Sequence, residues 1–179
     1  MTRASFGGES STMKSPRKSP GSKTGADAAL REHISALLRG GHAHMSFDQA
    51  VRGFPLDRVG VRPHGLPHSA WELLEHIRLA QFDILRFSQS ADWVSPPFPE
   101  GYWPESSAPE RVAQWAASVR RYRKDLAEFE ALILDPAQNL RKKLPWGSGQ
   151  TLLREALTIA DHTSYHLGQL VLVRQLVEG

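Results

Sequence analysis

Eight histidines occur in this 179-residue chain, and two of them have a spacing that could do chemistry. His162 and His166 lie four positions apart in Asp161-His162-Thr163-Ser164-Tyr165-His166-Leu167-Gly168-Gln169. An apolar pattern runs through this segment from about Leu152 to Val177, with Leu152, Ala156, Ile159, Thr163, Leu167, Leu170 and Val171 on one stripe, as a helix requires. On a helix, residues at i and i+4 share a face and are offset by only about 40°. Two imidazoles so placed can hold one divalent ion, as in HExxH sites. The same spacing also arises from an ordinary pair of hydrogen-bonded histidines flanking a core. His76, between Leu73 and Ala80 on another apolar stripe, is the third candidate ligand. Three imidazoles converging between helices would form an open metal site.

The elements that must position these residues are all helical. A first helix is expected from about Ala26 to Arg39, with Leu30, Ile34, Leu37 and Leu38 on one face and Gly40-Gly41 as its stop. Ser46-Phe47-Asp48-Gln49 has capping-box spacing and predicts a short extra helix. Residues 56–67 contain Pro63, Gly65 and Pro67 and read as a loop. Ser69-Ala70-Trp71-Glu72 is a second capping box, and the helix it opens carries Leu73, Ile77, Ala80, Ile84 and Phe87 to about Gln89. Residues 90–108 form a proline- and aromatic-rich connection that should fold back on the bundle. Ser107-Ala108-Pro109-Glu110 predicts the start of the next helix, with Val112, Trp115, Val119, Tyr122, Leu126, Phe129 and Ile133 facing inward and Asp135-Pro136 ending it. Thr151 is the expected cap of the last helix. No alternating strand pattern competes, so the fold class is all-α, a four-helix bundle.

Composition narrows the chemistry. Cysteine is absent, which removes disulfides, thiolate ligands, iron–sulfur clusters and a cysteine nucleophile. Residues 1–23 carry five basic side chains against Glu9, a net of +4, whereas the whole chain is +3, so the remainder carries −1. This basic stretch is poor in apolar residues and is expected to be a disordered tail ahead of a bundle domain at 24–179. The near-neutral remainder argues against nucleic acid as a partner. Neither a membrane-spanning stretch nor a secretory leader is visible, and a cytoplasmic protein is expected. The segment at His162 lacks the glutamate of HExxH, and there is no GxSxG elbow or P-loop. His33, His42, His44, His64 and His68 are assigned to surface or loop positions.

The stretches Ser69–Ile77 and Ala160–Leu170, with HxxxH followed by Gly168-Gln169, resemble the DinB-like superfamily of bacterial metal-binding four-helix bundles; Gly101-Tyr102-Trp103-Pro104 is similar as well. The resemblance covers roughly residues 26–178. It implies an up-down-down-up bundle, commonly a homodimer, with the metal held by His76, His162 and His166. Three imidazoles with open positions suit zinc or nickel, and also iron or manganese. The resemblance further implies a metal-dependent enzyme acting on a small molecule through water or a low-molecular-weight thiol, of hydrolase or thiol-transferase type. A thiol would have to enter as a cosubstrate, since the chain has no cysteine. A non-catalytic metal-binding or stress-response bundle is the alternative. Glu72, Asp161 and Gln169 lie near the ligands in sequence and are candidates for orienting an imidazole.

Overall fold

A computed structural model describes residues 23–179; the expected disordered tail lies almost entirely outside them. Five α-helices make up the order α1 (Lys23–Arg39), α2 (Phe47–Val51), α3 (Ala70–Gln89), α4 (Ala113–Leu134) and α5 (Leu152–Glu178), with a 3-10 turn at Glu100–Tyr102 between α3 and α4. The described residues contain no strand beyond one isolated bridge, Lys143 to Thr151.

Local chemistry sets most helix ends. Ser69 Oγ accepts from the Glu72 amide at 3.2 Å, while the Glu72 carboxylate accepts from the Ser69 amide at 2.8 Å. Ser46 and Gln49 form the same box on α2, and the Thr151 hydroxyl caps α5 through the Arg154 amide. Gly40 and Gly41, at φ +67° and +85°, terminate α1 in a conformation that costs other residues energy. The C-terminus of α4 is closed from a distance. The buried guanidinium of Arg31 on α1 donates to the carbonyls of Ile133, Asp135 and Gln138 at 2.6, 2.8 and 2.6 Å, satisfying groups that a helix end leaves without partners.

One boundary differs from the sequence expectation. The Ser107–Glu110 box does not open α4, which begins at Ala113. The Ser107 carbonyl instead accepts from Ser69 Oγ at 2.5 Å. A β-carbon at Gly60 would lie 2.4 Å from that of Ala108, so only glycine allows this close approach. The residues before α4 are therefore held as a strap across the start of α3. Gln114 reaches back to the Arg111 amide at 3.0 Å and helps start the helix there. Val112, expected in the core stripe, is 52% exposed.

Side-chain partners give the helix directions. Going down α3, Glu75, Gln81 and Gln89 meet Ser118, Tyr122 and Glu128 in turn, so α3 and α4 run parallel. His76 meets His162 and His166, while the far end of α3 lies beside Leu152, so α3 and α5 are antiparallel. Arg31 and Ser35 meet the end of α4 in reverse order, so α1 opposes α4. The bundle is up-down-down-up, and the α3–α4 connection must return along the length of α3.

The buried apolar side chains form two clusters. One joins Phe47 and Phe54 to Trp71, Leu73, Ile77, Trp115, Tyr122, Leu167 and Leu170. The other joins Ile34 and Leu38 to Leu85, Phe129, Ile133, Leu152 and Ile159. Along α5, His162 and His166 fall between the two clusters, after Ala160 of the second and before Leu167 of the first, while His76 on α3 sits within the stretch of the first cluster, between Leu74 and Ile77.

Candidate metal centre

His76 projects from the second turn of α3, and His162 and His166 from successive turns of α5. Their Nε2 atoms converge. The His76–His162 separation is 3.0 Å and the His76–His166 separation is 3.1 Å. One nitrogen from each ring lies within 4.8 Å of the other two. His76 is 6% exposed, and the other two are half-buried.

The outer nitrogens fix what the inner ones present. His76 Nδ1 lies 2.8 Å from the Tyr102 carbonyl. A carbonyl only accepts, so Nδ1 carries the proton and the neutral ring turns a lone pair inward at Nε2. His166 Nδ1 lies 2.8 Å from Gln169 Oε1, which imposes the same tautomer with the amide in the orientation assigned. The 3.1 Å contact between these two Nε2 atoms therefore sets lone pair against lone pair. It is not a hydrogen bond in the neutral rings. A proton is a poor remedy. Burial, above all, pushes His76 and His162 down to about 4, with the neighbouring imidazoles adding to it and the Tyr102 carbonyl opposing it at His76. Burial also lowers His166, against the pull of Gln169. A cation resolves the conflict. Nitrogens bound to one divalent ion at about 2.0–2.1 Å sit roughly 2.8–3.0 Å apart at right angles and about 3.3–3.4 Å apart at tetrahedral angles, and these two separations lie between those limits. The donor set fits a divalent ion.

The α3–α4 connection builds the surrounding wall. Asp83, about two turns beyond His76 on α3, accepts from Trp93 Nε1 and from the Tyr102 hydroxyl, both at 2.7 Å. Burial and the Asp83 carboxylate together raise the Tyr102 hydroxyl to about 12, so it stays a donor. With Tyr102 pinned, its carbonyl reaches His76 and Trp103 lies flat on the His76 ring, centroids 3.8 Å apart and planes within 4°. Trp103 also stacks on His68 at 4.1 Å. A small apolar cavity of about 60 Å³ adjoins this wall, lined by Leu66, Pro67, His68, Leu73, Gln169 and Leu172 among others.

The structure brings together His76, His162, His166 and Gln169. Glu72 is engaged elsewhere: it caps α3 and pairs with Arg62. Burial opposes its ionisation, but the Arg62 and Ser69 bonds hold it below the usual carboxylate range. Asp161 is exposed and hydrogen-bonds to none of the imidazoles. His33, His42, His44 and His64 are exposed, as expected. His68 is not a free surface residue, because Trp103 covers it. Asp83 and the Tyr102 carbonyl had no role in the sequence-based expectations. The one signal that pointed toward them was the aromatic density of residues 93–103.

A family model described as the DinB superfamily matches residues 41–170. No curated protein and no solved structure matches the chain. The matched span contains the whole three-histidine cluster and the connection that walls it, and the chain belongs to the DinB superfamily.

Proposed function

We propose that this protein binds one divalent metal ion through His76, His162 and His166 and uses it as an enzyme on a small-molecule substrate, with water or a low-molecular-weight thiol as the nucleophile. The observation that carries the reading is the 3.1 Å approach of two Nε2 atoms whose outer nitrogens are both committed as donors. When bound by three imidazoles with positions left open, a divalent ion such as zinc or nickel, or iron or manganese, acidifies a water or thiol toward neutral pH. The residues supply the rest. The Tyr102 carbonyl and Gln169 hold two rings in the ligating tautomer. Trp103 and His68 shield one side of His76 from solvent. Leu66, Leu73 and Leu172 offer apolar surface to a substrate body next to Gln169. The chain has no cysteine, so a thiol nucleophile comes from a cosubstrate.

Elemental analysis of tag-free protein tests the metal reading. About one ion per wild-type chain is expected, lost in both His76→Ala and His162→Ala. A metal-free wild type after reconstitution, with folded variants, would overturn it. Catalytic use needs an open position, so cobalt(II)-loaded protein should change its visible spectrum when a low-molecular-weight thiol is added. An unchanged spectrum favours the non-catalytic metal-binding bundle.

Assembly as a homodimer, inside the cytoplasm, completes the proposal. Leu157, Tyr165, Leu172 and Leu176 are 47%, 65%, 44% and 52% exposed along α5, an apolar stripe suited to a second copy. Sedimentation at micromolar concentration should give twice the chain mass, and a Leu172→Glu/Leu176→Glu variant should give the monomer. Among the described residues, no helix is long and apolar enough to cross a membrane.

A further inference from the structure

The other end of the bundle holds a cleft of about 290 Å³ that the histidine site does not use. It lies where the ends of α3 and α4 and the 138–146 connection meet the start of α5. Ser88, on its wall, is twelve residues beyond His76 on the same helix, about 18 Å along the axis. The two sites are separate.

Three features of the cleft point to a ligand. Ser88 is 6% exposed, and its Oγ has no hydrogen-bond partner among the described residues. Helical serines and threonines commonly return this proton to the carbonyl four residues back, and in this protein Ser164 and Thr158 do so at 2.7 and 2.9 Å. Ser88 does not; its hydroxyl is buried at the cleft wall without a partner. Second, Lys142 and Lys143 both line the cleft and neither has an ion-pair partner among the described residues, whereas Arg141 beside them pairs with Asp27. No carboxylate lines the space. Third, the Trp146 indole is pinned by its N–H to the Phe87 carbonyl at 2.7 Å, yet the residue stays 38% exposed at the cleft. A fixed, accessible indole beside Leu132 and Leu144 is a stacking surface.

We propose that this cleft binds a small organic anion. Its carboxylate or phosphate ester group meets Lys142, Lys143 and the Ser88 hydroxyl, and its flat apolar body lies against Trp146. The cavity volume, close to the lower end of ligand pockets at about 300 Å³, suits a body of single-ring size. A site so far from the histidines binds a second ligand, not the reacting group.

Titration calorimetry of the full chain with benzoate and with phenyl phosphate, at low ionic strength, tests this. One equivalent of at least one probe should bind saturably, and raising the salt should weaken it. Lys142→Ala/Lys143→Ala should weaken binding by about tenfold or more, as expected when both charge partners of an anion are removed. Ser88→Ala should weaken it by roughly threefold or more while leaving the ligand-free protein at least as stable, because the substitution removes an unpartnered buried hydroxyl. His162→Ala should leave binding intact. Binding of only one probe names the anionic group. No saturation by about 10 mM overturns the proposal, as does binding that survives the double lysine variant or disappears in His162→Ala. Inorganic phosphate binding as tightly as phenyl phosphate would remove the stacking half of the argument and with it the organic ligand.

Discussion

Replacing Asp83 by alanine should weaken metal binding, although Asp83 touches no histidine. Its two carboxylate oxygens accept from Trp93 Nε1 and the Tyr102 hydroxyl at 2.7 Å each, and the residue is 8% exposed. Hydrogen bonds to a charged group are worth about 1.5–3 kcal/mol each. Trp93 and Tyr102 are half-buried, so their freed donors regain some water, and the low end applies. The loss is about 3 kcal/mol, or roughly 6–12 °C in Tm for a chain of this size. The same anchor sets the position of the Tyr102 carbonyl, which fixes the His76 tautomer. Loss of such an outer partner costs about 10–100-fold in metal affinity. Asp83→Asn keeps one acceptor, and the phenol can turn to accept from the new amide, so its effects should be less than half as large. Zinc titration calorimetry at 15 °C, well below unfolding, separates the two consequences when Asp83→Ala is compared with Ile133→Val, a remote change in the other apolar cluster. If the zinc Kd of Asp83→Ala stays within about twofold of Ile133→Val, the anchoring argument is wrong.

Other perturbations should be as readable. Gln169→Ala should lose about 10–100-fold in metal affinity with little change in Tm, since the amide is half-exposed and serves to orient His166; equal affinities in a competition assay would refute that role. Burial holds His76 and His162 near 4 in the folded chain against 6.5 in the unfolded one. The unfolded chain therefore binds more protons between those values, and the metal-free protein has its full stability above pH 6.5 and loses it on descent toward pH 4. A urea midpoint that stays constant from pH 7 to 4.5 would contradict this. Ser69→Ala removes a helix cap and a bond to the Ser107 carbonyl. It should cost about 2 kcal/mol, read as a fall of roughly 4–8 °C in a thermal melt.

What was legible in the sequence was local. The caps at Ser46, Ser69 and Thr151 each depend on residues within three positions, and each helix starts where its cap predicts. The His162–His166 pair and Gln169 also lie within one helix, so spacing alone puts them on one side. The false start at Ser107 shows the limit. Its pattern matches a capping box, but the chain spends that backbone on Ser69 and Gly60, partners 38 or more residues away. Nothing near Arg31 announces that it will close the end of α4 across 102 residues. The Tyr102 carbonyl and the Trp103 stack are likewise set by the path of the connection over α3, and a backbone carbonyl carries no side-chain signature at all.

The parallel course of α3 and α4 has a kinetic consequence. The ligands come from contacts spanning 86 and 90 residues, and the carbonyl that sets the His76 tautomer arrives across another 26. An unfolded chain can offer an ion only the local HxxxH pair. Closing the larger loops is slow and entropically costly, so the full set of nitrogens assembles late, after α5 has docked on α3 and the connection has doubled back. An ion that waits for this arrangement cannot template it. Its effect falls on the native state, as a slower escape from the folded form and not as a faster route into it.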